Sequence, residues 1–136
     1  MLRNVLSVIT GLVICFILIL VGETFIHDHL VSFPSTIKSS EELKTFINTA
    51  PAILHIYILL NYAFTTFIGG ICTSLIASTK KISKAVTLGG ILTGMGVLNL
   101  SNVGHPTWVI ICGLFAFLPF AWFGGLIGTK LSTKKQ

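Results

Sequence analysis

Residues 5–26 read VLSVITGLVICFILILVGETFI, a stretch that carries a single acid, Glu23, and no basic side chain. At about 1.5 Å of rise per residue, a hydrocarbon layer about 30 Å thick takes about 20 such residues as a helix. In that layer a helix satisfies its main-chain hydrogen bonds internally, so the stretch predicts a membrane span. Arg3 ahead of it resembles the start of a secretory signal. The run is long for one, however, no small-x-small cleavage site follows, and Ile14 before Cys15 does not fit a lipoprotein signal. A retained signal-anchor helix is therefore expected.

Working outward, the same reading applies to about residues 52–77, 82–100 and 107–128. Pro51 opens the second run, where its fixed φ suits a first helical turn. Pro119 interrupts the fourth and is expected to kink it and free a carbonyl. The whole chain has 136 residues, 53% of them hydrophobic and 10% charged, with a mean hydropathy of +0.92. Soluble domains carry roughly 25% charged residues. So few ionised groups cannot cover a globule in water, which excludes a soluble enzyme and a disordered tail. The expected fold is an all-α integral membrane protein, one domain over residues 1–136, built as a four-helix transmembrane bundle.

The net charge of +5 does not point to nucleic acid, because the basic residues sit in short tracts beside the apolar runs. With the N-terminus inside, Arg3, Lys80, Lys81, Lys84, Lys130, Lys134 and Lys135 share one side, and only Lys38 and Lys44 lie on the other. That asymmetry predicts both termini in the cytoplasm, and the expected location is the bacterial inner membrane. Cys15, Cys72 and Cys112 are lone residues in apolar runs and read as small hydrophobes.

The external connection, residues 27–50, contains Ser39-Ser40-Glu41-Glu42, a capping-box pattern in which each side chain is expected to bond the other residue's N–H. Leu43, Phe46, Ile47 and Ala50 follow at helical spacing. They predict a short amphipathic helix on the outer bilayer surface or folded over the bundle mouth.

Lipid is as apolar as leucine, so close backbone approach and interhelical hydrogen bonds must hold such spans together. Small-residue pairs occur in each: Ser7-x-x-x-Gly11, Gly70-x-x-x-Ser74, Gly90-x-x-x-Gly94 and Gly124-x-x-x-Gly128. The second span is polar on two faces, one with His55, Tyr62, Thr66 and Gly69, the other with Tyr57, Asn61 and Thr65. One face can be used inside the bundle. The other, with Asn61 near mid-membrane, then calls for cover by another chain or a copy of this one, unless both touch sister helices.

The predicted topology gathers all four acids and all four histidines toward the outer side. Glu23 lies about one turn inside the end of the first span, His27 four residues on, and His55 at a matching depth in the second. Asn99 and His105 mark the exit of the third span and the connection to the fourth, with Trp108 as an interfacial anchor. A histidine is the expected neighbour of Glu23. Three readings of this cluster stand side by side: a structural hydrogen-bonded tie between spans, a proton-linked transport site, and a mixed N/O metal or haem site through Glu23, His27 and His55. No His-x-x-His or Glu-x-x-His spacing supports the third.

Gly22-Glu23, Phe33-Pro34, Pro51, Gly69-Gly70, Asn99, His105-Pro106-x-Trp108, and Pro119 before Gly124 together resemble a widespread class of small bacterial four-span membrane proteins. The resemblance implies the fold; that class carries no established activity. No nucleophile–base pair, phosphate loop or dinucleotide fingerprint is present, so neither an enzyme nor a cofactor is expected. The leading expectation is a non-catalytic accessory or structural subunit of a larger membrane assembly, with lipid and other membrane chains as partners. The alternative is a small homo-oligomeric transporter or channel using Glu23, His27 and His55.

Overall fold

The computed structural model of the protein describes residues 2–30 and 37–133. Phe33, Pro34, Lys134 and Lys135 therefore lie outside the described residues. The chain forms α1 (Leu2–Phe25), which runs on into one π-helical turn (Ile26–Leu30), then α2 (Ser40–Thr49), α3 (Ala52–Ile76), α4 (Lys81–Val103) and α5 (Thr107–Thr133). The four long helices have 24, 25, 23 and 27 residues. At ~1.5 Å per residue each exceeds the thickness of a bilayer core. All four are long and apolar enough to cross a membrane.

Polarity is distributed as lipid demands. Ser7, Thr65, Thr66, Thr73 and Ser74 are fully buried, while Phe16, Phe64, Leu98 and Phe115 face outward. In water this would be a severe defect; in lipid the outer faces meet their own kind, and of the inner hydroxyls those of Ser7, Thr66 and Ser74 bond main-chain carbonyls.

α3 is the hub. It packs most extensively on α5 and next on α1, and it also touches α4, which in turn lies along α5. The α3–α5 seam is made by glycines. A Cβ built on Gly70 would strike the Ala121 carbonyl, one on Gly124 the Phe67 carbonyl, and one on Gly128 would lie 2.5 Å from the Ile71 carbonyl. α1 approaches α3 through Ser7, Gly11 and Cys15, with Gly11 against Thr73 and Cys15 against Gly69.

The third span departs from the expected stripe. Gly90 and Gly94 face outward with nothing within 4 Å of a built Cβ, and they do not pack on any helix of this chain. α4 instead meets α5 through Gly89, against Ala121 and the Phe117 carbonyl, and through Gly96, against the Phe117 ring. Gly89 and Gly90 are neighbours about 100° apart on the helix, so a shift of one residue turns the stripe away from the core.

The need for a second chain to cover the polar side of α3 also disappears. Thr65 is fully buried, and Asn61 donates through Nδ2 to the Ile19 carbonyl of α1 at 3.3 Å. Gly22 makes the room, since a Cβ there would collide with the Asn61 amide. Both polar faces of α3 are used inside the bundle because α3 has helices around it.

At one end of the bundle Arg3 Nε donates to the Ile76 carbonyl at 2.7 Å. Asn4 accepts from the Ser78 and Thr79 amides and from the Ser78 hydroxyl, and donates to the Thr79 hydroxyl. Lys81 reaches Ser132. This end carries Arg3, Lys80, Lys81, Lys84 and Lys130, and all four acids belong to the other end.

That other end is closed by α2. Ser39 Oγ accepts from the Glu42 amide at 3.2 Å, so half of the capping box forms; the Glu42 carboxylate accepts from the Lys38 amide at 2.9 Å instead of from Ser39. Ile47 is buried, Leu43 and Phe46 pack against the core, and Asn48 Nδ2 donates to the Gly104 carbonyl at 3.4 Å. α2 thus folds over the bundle mouth.

Candidate functional site

Two features set the positions of the polar side chains at this end. The first is the length of α1. Its π-helical turn carries the helix to Leu30, so His27 to Leu30 are helical and not part of a loop. Glu23 is consequently deeper than a helix ending near residue 26 would place it. The second is the end of α4. Gly104, at φ +86°, closes a Schellman motif in which its N–H bonds the Ser101 carbonyl and that of His105 bonds the Leu100 carbonyl. The motif turns the chain back at His105, and Pro106 accepts from Val109 to open α5.

Glu23 does not meet a histidine. Its Oε1 accepts from the Tyr62 hydroxyl at 2.8 Å, and Asn99 Nδ2 donates to the same hydroxyl oxygen at 3.5 Å. Three helices, α1, α3 and α4, are joined at one phenol. Tyr62 is almost completely buried, and its ring stacks on Phe117 of α5 with centroids 5.2 Å apart. Tyr62 is seven residues beyond His55, about 10 Å deeper along α3; the added depth of Glu23 makes tyrosine its partner.

His55 pairs elsewhere. Its Nδ1 lies 3.1 Å from Nδ1 of His105, and the ring stands edge-on to Trp108 with centroids 5.6 Å apart. His55 is 1% exposed and His105 8%. The Nε2 of His55 completes no hydrogen bond of ordinary geometry, although the Ile47 main chain of α2 approaches the ring. Burial, with His55 beside it, pushes the pKa of His105 down to about 4. His27 is exposed and stands 3.1 Å from the Asp28 carboxylate. Trp108, at the start of α5, is exposed and also stands edge-on to the His55 ring.

Glu23, His27 and His55 are therefore not brought together as a ligand set, and among the described residues no three His, Cys, Asp or Glu side chains converge on one point. What the arrangement does enclose is space. A cavity of about 400 Å³ under α2 is lined by Glu23, His27, Tyr62, Asn99 and His105 together with apolar residues including Leu43 and Ile47. A second, of about 620 Å³, runs between α1 and α4, and Glu23, Tyr62 and Asn99 line it as well. The three residues stand where the two cavities meet. Among the described residues no lysine or arginine lines either one.

Sequence reasoning placed Tyr62 on the His55 face of the second span but not beside Glu23, and it did not single out Phe117. The visible signal was the seven-residue spacing from His55 to Tyr62, which puts both on one side of α3.

Fold and site together define a multi-pass, all-helical membrane protein with a polar cluster set into one end of its bundle. Comparison of the chain with protein-family models, curated proteins and solved structures returns no match.

Proposed function

We propose that this chain is a small transporter that binds its solute at Glu23, Tyr62 and Asn99, with His27 and His105 on the outer approach and His55 buried behind His105. The observation that carries this reading is the 2.8 Å hydrogen bond from Tyr62 to a carboxylate standing where two cavities meet. An ionised carboxylate within a bilayer is costly unless it holds a proton or faces a countercharge. With no lysine or arginine among the described residues that line the cavities, the exchangeable partner of Glu23 is a proton or a cationic solute. Competition of the two for one carboxylate is the minimum chemistry of proton-linked transport.

The accessory-subunit reading rested on an uncovered polar face of the second span, and α1 covers that face. The reading further includes self-association, with the outward Gly90 and Gly94 of α4 as the flat surface a second copy can use. It places both termini in the cytoplasm of a bacterial inner-membrane protein, supported by five basic side chains among the described residues at one end of the bundle against Lys38 and Lys44 at the other.

The test is proton flux in proteoliposomes carrying an internal pH dye. Adding tetraethylammonium or dodecyltrimethylammonium outside is expected to drive proton release with the wild-type protein and not with Glu23→Gln. Glutamine keeps an oxygen for the Tyr62 hydroxyl, so the variant should melt at the wild-type temperature. Absence of flux in the wild type, with Glu23→Gln merely lowering the melting temperature, would overturn the proposal and leave the cluster as a tie between helices.

A further inference from the structure

Resting on the transporter reading, we infer that the ligand is a single-chain amphiphile with a cationic head, entering sideways from the bilayer between α1 and α4. The larger cavity is a groove. Its walls are Val13, Phe16 and Leu20 of α1 facing Leu92 and Met95 of α4, and at its floor the Tyr62 ring stacks on Phe117. Among the described residues α1 makes no contact with α5 and only a light one with α4. The groove therefore lies along the one weakly closed seam of the bundle. Phe16, Leu20 and Met95 are each about half exposed, so its lips are continuous with the lipid-facing surface.

Shape and charge then select the occupant. From Leu12 to Glu23 the groove follows α1 for about 16 Å, which suits one alkyl chain, and its 620 Å³ falls among ordinary ligand cavities of about 300–1,000 Å³. The apolar end lies toward the middle of α1 and the polar end toward the bundle mouth, so a chain lies in it as lipid chains lie in the leaflet. At the polar end the one carboxylate among the described lining residues is that of Glu23, flanked by the Asn99 amide and the Tyr62 hydroxyl. A carboxylate set among apolar walls, with no lysine or arginine beside it among the described residues, receives an ammonium through charge attraction. A fatty acid would set two carboxylates side by side, and a phospholipid would bring a phosphate to a site lined by no lysine or arginine.

The experiment is equilibrium binding of radiolabelled dodecyltrimethylammonium, dodecanoate and tetraethylammonium to the full chain in nanodiscs, with uptake by empty nanodiscs subtracted. Dodecyltrimethylammonium is expected to bind at least tenfold more tightly than either other probe. Glu23→Gln should weaken it at least tenfold, and so should Met95→Trp, which fills the groove from a half-exposed position without touching the polar cluster. Both variants are checked by their melting temperatures, and a variant that melts early is replaced by Glu23→Asn or Leu20→Trp. Equal binding of dodecanoate overturns the cationic head, equal binding of tetraethylammonium overturns the tail, and no binding above the nanodisc background means that ordinary lipid fills the groove. Tetraethylammonium-driven flux that persists in any of these cases leaves the transporter reading standing while the ligand class falls. Dodecyltrimethylammonium binding without flux has the opposite meaning.

Discussion

Nδ1 of His55 lies 3.1 Å from Nδ1 of His105, so one imidazole donates and the other accepts, and α3 is tied to the α4–α5 connection by a single shared proton. A second proton would leave two N–H groups facing each other.

That pair predicts acid sensitivity with a definite sign. The folded-state pKa of His105 is about 4, against an ordinary 6.5, because burial and the adjacent His55 disfavour its charge. Below pH 6.5 the unfolded chain takes up a proton that the folded chain refuses, so stability falls as pH drops from about 6.5 toward 4 and levels off beneath that. At about 1.4 kcal/mol per unit the loss is on the order of 3 kcal/mol. Melting temperatures in detergent between pH 7.5 and 4 should show it, and His105→Gln should flatten the slope. An equal slope in the variant would assign the sensitivity to other groups.

Tyr62→Phe removes the hydroxyl that joins three helices and keeps the ring on Phe117. Glu23 loses its donor and Asn99 its acceptor within a poorly hydrated site, at a cost of about 1–3 kcal/mol. Thermal unfolding should show the loss. A phenylalanine variant as stable as wild type would mean that the hydrogen bond is not formed in the folded protein.

Much of the fold is legible in the sequence because lipid imposes a length. Any run of about 20 apolar residues has few alternatives, and Ser39 and Gly104 mark helix ends by local chemistry. The partner of Glu23 is not legible, because one π-helical turn after Phe25 adds depth that no composition reveals. Nor is the use of both polar faces of α3, which depends on that helix being central. Gly89-Gly90 shows the limit most plainly: two adjacent glycines are equivalent to a pattern search and lie on different sides of α4.

Those two sides predict effects of opposite sign. At Gly124 a methyl group meets the Phe67 carbonyl, which is backbone and cannot swing away. Gly124→Ala should cost about 1–3 kcal/mol by forcing α3 and α5 apart. At Gly90 and Gly94 a methyl group meets nothing within 4 Å of this chain, and alanine gains up to about 1 kcal/mol per site over glycine in a helix. Melting temperatures should fall for the first substitution and rise or hold for the other two. A fall at Gly90 or Gly94 as large as at Gly124 would contradict the packing of α4 described here.

Gly104 joins the site to its cover. Its φ of +86° lies in the left-handed region that residues with a Cβ adopt at a cost, and a Cβ there would sit 3.0 Å from the Lys44 side chain of α2. Its carbonyl also accepts from Asn48 of α2, and its position in the Schellman motif presents His105 to His55. Gly104→Ala should therefore destabilise by about 1 kcal/mol or more, and the damage should be confined to one end. Amide hydrogen exchange is expected to rise across residues 40–49 and around His105, with α3 and α5 near Gly70 and Gly124 unchanged. Uniformly faster exchange would mean that α2 is no separate lid, and unchanged exchange in α2 would mean that Gly104 does not hold it.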